Sequence, residues 1–320
     1  MLRYIVRRVL WAVAMLFIVS ALIFLIFYVL PSADPAVLRA GRNAGTRQIE
    51  NIRRSLGLDK PIYAQYVLYM RQVFLHFNFG YSYEYEVSVR SLILSRLPAT
   101  IWLVVGGLIL WLIIGITVGI VSATKRRSLS DRVSMTVCLA FISAPSFWLS
   151  LVSLYLFAKD IGRFKIFDGQ GAFATATTIP EKAGAMILPW TILAVTSAAV
   201  YARYMRASMI DTLGEDYIRT ARAKGLPERV VILRHGLRSA INPIVTLLGL
   251  DVGTLLAGNA ILTESVFNIP GVGRLIYQAI SVSDLTTVEG VTLFGTFFIV
   301  FFNLVVDIVY AYLDPRVRYS

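Results

Sequence analysis

Histidine, cysteine, serine and acidic side chains could carry chemistry in this chain, and their spacing excludes most of it. The two histidines, His76 and His235, are far apart in sequence, not at the i, i+4 spacing by which one helix face offers two imidazoles to zinc. With one cysteine, Cys138, neither an intrachain disulfide nor a thiolate cluster can form. No glycine precedes a lysine anywhere, which removes the G-K-[ST] phosphate cradle and with it ATP hydrolysis by this chain through such a loop. Gly271 and Gly273 follow Pro270 and lack the third glycine of a dinucleotide turn, so they read as turn punctuation. Ser143, Ser146, Ser150 and Ser153 lie along one apolar stretch, where an intramembrane protease would also need a histidine base, and none is there. Serine in such a stretch packs small and bonds its own backbone. No catalytic residue and no metal ligand is expected.

The elements that would position any function are membrane spans. Of the 320 residues 57% are hydrophobic and only 16% charged, and the mean hydropathy is +0.69. Soluble domains need more polar surface, so the excess must face lipid. The net charge of +12 does not indicate nucleic acid, because the cations border apolar runs instead of forming one solvated groove. About 20 helical residues cross a bilayer. Six stretches qualify: Val9 to Leu30, Ile101 to Ala123, Val133 to Ala158, Met186 to Arg206, Ile244 to Thr263 and Val291 to Leu313. The expected fold class is an all-α integral membrane protein with six transmembrane helices. The first apolar core exceeds the usual 7 to 15 residues of a signal peptide, and reads as a retained anchor.

Orientation follows the cations of the short loops, which stay cytoplasmic. Arg3, Arg7 and Arg8 precede the first span, Lys125, Arg126, Arg127 and Arg132 crowd the second connection, and seven cations from Arg206 to Arg238 populate the fourth. The loop from Glu264 to Gly290 carries only Arg274. Both termini are therefore expected in the cytoplasm, with Arg316 and Arg318 holding the C-terminus. The expected organisation is a cytoplasmic N-terminus and first span over 1–30, an extracytoplasmic segment over 31–100, and a five-helix core over 101–320 with a cytoplasmic segment at 207–243. Within 31–100, Asn51 to Leu58 and Pro61 to Phe77 read as helices, with Tyr63, Tyr66 and Tyr69 three apart.

The cytoplasmic segment from Ala207 to Pro243 reads as two helices. Glu215 and Asp216 suit a helix N-terminus, Tyr217 to Lys224 continues it, and Gly225 can take a left-handed cap. Pro227 suits the first turn of the next helix. Ile218 and Ala221 lie one turn apart, flanked by Arg219, Arg222 and Lys224, and Ala221 and Ala223 offer a slim surface that could enter a groove on another protein. A helix resting on anionic lipid through its cations is the alternative.

The run Tyr217-Ile218-Arg219-Thr220-Ala221-Arg222-Ala223-Lys224-Gly225-Leu226-Pro227 closely resembles the cytoplasmic signature of the oligopeptide and dipeptide permeases of ATP-binding-cassette (ABC) importers. The general importer pattern, E-A-A, three residues, G, nine residues, I-x-L-P, matches at Ala221, Gly225 and Leu237 and departs at Arg219, Thr220, His235 and Arg238. These departures look like those of the peptide branch. The opening Met1 to Arg8, Asn78 to Ser82, Thr263 to Gly273 and Leu313 to Tyr319 also resemble its B-type permease subunit, so the likeness covers essentially the whole chain. It implies a type I ABC importer permease fold, forming half of a pore with a second homologous permease. One or two ATPase subunits would carry ATP and Mg, none bound by this chain, and an extracytoplasmic protein would deliver the peptide. It assigns Tyr217 to Leu226 to ATPase coupling, and Glu264, Phe267, Pro270, Gly271 and Gly273 to the extracytoplasmic gate. The segment 31–100 is expected to dock the binding protein, with tyrosines marking the membrane surface as the equal alternative. Similar permeases carry dipeptides, oligopeptides, glutathione, nickel chelates or sugars, and the sequence leaves that choice open.

Asp251 sits within the fifth span, where an aspartate costs about 2.5 to 3.5 kcal/mol unless it faces protein or water. It either lines the translocation path, meeting a peptide's amino terminus, or makes a structural hydrogen bond to the partner permease. Asn303 and Asp307 lie one turn apart in the sixth span and suit helix packing. The rival function from another class is a secondary transporter driven by an ion gradient through Asp251 and Asp307.

Overall fold

Apolar runs too long for a globular core become the longest helices of the computed structural model, which describes residues 2–30, 34–40 and 45–313. Four are long and apolar enough to cross a bilayer unaided: Tyr4–Val29, Val89–Thr124, Ile179–Leu213 and Leu285–Val309. In the most apolar window of each, only 17 to 39% of the residues are buried within the chain, which leaves apolar surface suited to lipid or to another apolar helix. Two bent pairs bring the count to six if each is one span. The stretch expected as a single helix from Val133 to Ala158 is Leu129–Ser143 and Ser146–Phe157, bent by 101°. Ala144 between them is extended, as the residue before Pro145 tends to be. The fifth stretch starts earlier than expected, as Glu228–Ala240 and Asn242–Gly258 bent by 51°, and Pro243 near the break has no N–H to carry the helix across. It ends at Gly258, whose φ of 104° leaves the helical region.

In chain order the helices are α1 (Leu2–Phe24, continued as a wider turn over Leu25–Val29), α2 (Pro35–Ala40), α3 (Thr46–Leu56), α4 (Ile62–His76), α5 (Val89–Thr124), α6 (Leu129–Ser143), α7 (Ser146–Phe157), α8 (Ala172–Thr175), α9 (Ile179–Leu213), α10 (Asp216–Ala223), α11 (Glu228–Val230), α12 (Leu237–Ala240), α13 (Asn242–Thr254), α14 (Ile261–Val266), α15 (Val272–Ser281) and α16 (Leu285–Leu313). A short hairpin pairs β1 (Tyr81–Ser82) with β2 (Val87–Ser88). The chain forms two compact units: Met1–Thr100 with Val252–Ile261 and Pro270–Val305, and Ile101–Asp251 with Leu262–Ile269 and Val306–Ser320.

In the first unit α1 and α4 join through aromatic rings. Tyr66 and Tyr69 pack against Phe24, while Tyr63 is exposed. Of the three evenly spaced tyrosines, two are therefore structural. Arg39 of α2 is buried against Glu289 of α16 at 2.5 Å, with its guanidinium over the Tyr28 ring. Burial lowers the pKa of this guanidinium, but the Glu289 carboxylate beside it outweighs that and holds Arg39 above its ordinary value. The Ser82 hydroxyl donates to Asp284 at 2.5 Å, tying the hairpin to the start of α16.

The second unit is built on α9. Gly115 and Gly119 of α5 let that helix approach closely: a Cβ at Gly119 would stand 2.5 Å from the Met205 Cβ and 2.9 Å from the Ala202 carbonyl oxygen. Small residues one turn apart on both helices are the means by which membrane helices pack tightly. Trp190 Nε1 donates to the Trp102 carbonyl at 2.8 Å. On α7 the Ser150 and Ser153 hydroxyls donate to the backbone carbonyls of Ser146 and Ser150, as expected of packing serines.

Candidate coupling segment, gate residues and intramembrane acid

The cytoplasmic segment folds as its local signals dictate. Glu215 caps α10 in an extended conformation, Asp216 opens it, and the chain leaves it through Lys224 into Gly225 at φ 74°. Pro227 stands at the cap of α11, one residue earlier than a first-turn position. Ile218 is completely buried and Ala221 nearly so, packed on Val231 and on Leu213 at the end of α9. Ala221 is thus turned inward, which corrects the expectation that it belongs to an outward slim surface. Only Ala223 does. Tyr217, Arg219, Thr220, Arg222, Ala223, Lys224, Gly225 and Leu226 are exposed. The Tyr217 hydroxyl donates to Ser239 at 3.0 Å, and Arg222 grips Glu228 through Nε at 3.1 Å and Nη2 at 2.7 Å. Those bonds from Glu228 push the Arg222 pKa up further. The result is a short helix fastened along its inner edge, with exposed cations on its outer edge, Lys224 and Arg219, the latter paired with Asp216 at 3.3 Å.

The expected gate residues are not in an open loop. Glu264 lies in α14 and is fully buried, and Phe267 is 2% exposed. The turn after α14 is closed by the Ile269 amide on the Glu264 carbonyl at 2.8 Å. It is tied to the preceding outer connection by Gln170 Nε2 on the Val266 carbonyl at 2.7 Å and by the Gly171 amide on the Phe267 carbonyl at 3.0 Å. In the other unit Gly271 caps α15, following Pro270, and the Val272 amide donates to Thr100 Oγ1 at 2.8 Å. Gly273 serves a close approach, not a turn: a Cβ there would meet the Gly258 carbonyl oxygen at 2.6 Å and the Ile261 amide nitrogen at 2.9 Å.

Asp251 is partly buried on α13 and accepts a hydrogen bond of 2.7 Å from the Tyr201 hydroxyl on α9. Tyr201 is itself buried, its ring beside Trp111. The polar partner shown is thus in the same chain. Among the described residues no cluster of three or more His, Cys, Asp or Glu could hold a metal.

Residues 115–319 match the family described as "Binding-protein-dependent transport system inner membrane component", and residues 1–104 match "Binding-prot-dependent transport system membrane comp, N-term". The chain belongs to this family. It is 39% identical to the glutathione transport system permease protein GsiC of Escherichia coli (strain K12), over the full length of both chains. The proteins of the same name from Shigella flexneri serotype 5b and Shigella boydii serotype 4 align to the same extent. The permease is therefore the multi-pass inner-membrane component of an ABC importer of the peptide family, with the type I permease fold. Membership implies a second permease, an ATPase and a substrate-binding protein, and it overturns the ion-gradient rival built on Asp251 and Asp307.

One buried network of the permease escaped the sequence reading. Asp131 of α6 accepts from Arg206 Nε at 2.7 Å and Nη2 at 2.8 Å on α9, from the Arg127 amide at 2.9 Å and from the Ser122 hydroxyl. In the sequence Arg206 reads only as a topology signal. An aspartate one turn into a membrane helix is the signal that could have flagged the pair.

Proposed function

We propose that the permease passes the work of a separate ATPase to its spans through α10 and the turn after it. Tyr217 to Leu226 form the contact, with Ile218 and Ala221 as the inner anchor and Arg219, Thr220, Arg222, Ala223, Lys224, Gly225 and Leu226 as the surface offered to the ATPase groove. The observation that carries this is the pair of buried side chains, Ile218 and Ala221, beneath a helix whose other residues are exposed. A helix so fastened moves with α9 and the α11 turn as one body, which is what transmission of a rigid-body closure requires.

In this reading both termini and α10 are cytoplasmic, and ATP and Mg reside on one or two ATPase subunits, with no catalytic group on this chain. Residues 31–100 receive the extracytoplasmic binding protein. Glu264, Phe267, Pro270, Gly271 and Gly273 belong to the extracytoplasmic gate, where tight packing suits elements that must switch between two positions. Asp251, which Tyr201 helps keep from lipid, is the acid beside the translocation path. The cargo is a small peptide, with glutathione and a dipeptide the first to test.

The test is Gly225→Arg. A Cβ at Gly225 would meet nothing within 4 Å, so the cost is the φ of 74°, about 1 to 2 kcal/mol for a side-chain-bearing residue, together with a bulky charge at the contact. ATP-driven uptake of labelled glutathione and dipeptide into vesicles carrying the complete importer is expected to collapse, with the chain at normal abundance in the membrane. Normal uptake by that variant would remove α10 from the coupling role.

A further inference from the structure

A cavity within the first unit includes none of the coupling residues, the gate residues or Asp251. It has a volume of about 450 Å3 and is walled by α1, α4, the start of α5 and α16, with Leu16, Phe74, Leu94 and Phe297 representing the four. Its lining is aliphatic and aromatic apart from Ser20, Thr296 and Arg90. Neither hydroxyl is available to a guest as a donor. Ser20 Oγ donates to the Phe17 carbonyl at 2.8 Å, and Thr296 Oγ1 donates to the Thr292 carbonyl at 2.8 Å. A space of this size could hold on the order of fifteen waters at about 30 Å3 each, but waters need two to four polar partners and an apolar cavity stays dry. An empty cavity forfeits dispersion contacts all along its wall. An apolar chain is the occupant that resolves both costs.

Arg90 decides the other end of that occupant. It is the second residue of α5, exposed, and makes no hydrogen bond or ion pair among the described residues. The α5 rise of about 1.5 Å per residue puts it roughly 10 Å along the helix from Leu97, deeper in the same cavity. The membrane-length helix Val89–Thr124 begins one residue before it, so the guanidinium stands at the outer end of that helix, one to two turns beyond Leu94 and Leu97. The geometry points to a binding site for a membrane phospholipid with an anionic headgroup, one acyl chain lying in the cavity and the phosphate and its substituent on Arg90. A peptide is excluded as occupant because the wall offers its backbone no partner, and zwitterionic lipid lacks the net charge that the lone guanidinium selects.

The importer is purified in mild detergent, placed in nanodiscs of equal dioleoyl-phosphatidylglycerol and dioleoyl-phosphatidylethanolamine, and released for native mass spectrometry. This chain is expected to retain phosphatidylglycerol over phosphatidylethanolamine by about fivefold, the ratio that one cation near an anionic headgroup supports. Arg90→Gln should abolish the preference and Arg90→Lys should keep it. Leu94→Trp, which fills the cavity, should lose both lipids. Equal retention of the two lipids by the native chain, or an unchanged preference in Arg90→Gln, overturns the site. So does a photocross-linker at position 94 that captures the second permease in place of lipid.

Discussion

Replacing Ile218 by alanine tests how α10 is held. An eight-residue helix is too short to persist alone, since isolated helices below about 12 residues are marginal in water. Its fastenings are the buried Ile218 side chain, the exposed Tyr217–Ser239 bond and the exposed Arg222–Glu228 pair. A buried isoleucine cut to alanine costs about 2 to 5 kcal/mol, whereas an exposed ion pair contributes at most about 1 kcal/mol. The hydrophobic anchor therefore dominates. Taking about 3 kcal/mol, at about 1.4 kcal/mol per factor of ten, local opening of α10 should rise about a hundredfold in Ile218→Ala. Arg222→Ala should raise it no more than about fivefold. Hydrogen–deuterium exchange of the 216–226 amides in the assembled importer reads both values. The α9 amides up to Met209 should stay protected, and ATP-driven uptake should fall with the α10 protection. If those amides exchange at the native rate in Ile218→Ala, something other than this anchor holds the helix, and the argument for rigid transmission fails.

Two further substitutions probe the packing beneath the coupling segment. Asp131→Ala leaves Arg206 without its bidentate partner, in a pair whose side chains are 5% and 27% exposed, and should cost about 3 kcal/mol, the lower end for a buried pair. The thermal midpoint in detergent should fall clearly, and an unchanged midpoint would show that Arg206 finds water or another acid. Gly119→Ala puts a methyl 2.5 Å from the Met205 Cβ and 2.9 Å from a backbone oxygen, forcing α5 and α9 apart at about 1 to 3 kcal/mol. A variant as heat-stable as the native chain would mean that the two helices do not meet so closely.

The sequence by itself determined that this is a membrane chain, where most of its spans lie, and which family it belongs to. It also determined α10, because every signal for that helix is local: the acids at its start, the formers along it and Gly225 after it lie within one turn of what they control. It marked Asp251 as an acid that must be kept from lipid, because that cost depends on depth alone. What it left open are the properties that depend on which segments meet. That Ala221 faces inward needed Val231 and Leu213 to be brought beneath it. That Gly273 is a contact and not a turn needed Gly258 to pass across it. The pairing of Asp131 with Arg206, 75 residues away, and of Arg39 with Glu289, 250 residues away, is chosen by packing. Pro145 announced a break, but only the structure gives the bend of 101°. Local backbone preference acts over a few residues and is written in order along the chain. Burial, close approach and ion pairing act between surfaces, and those exist only once the helices have been placed together.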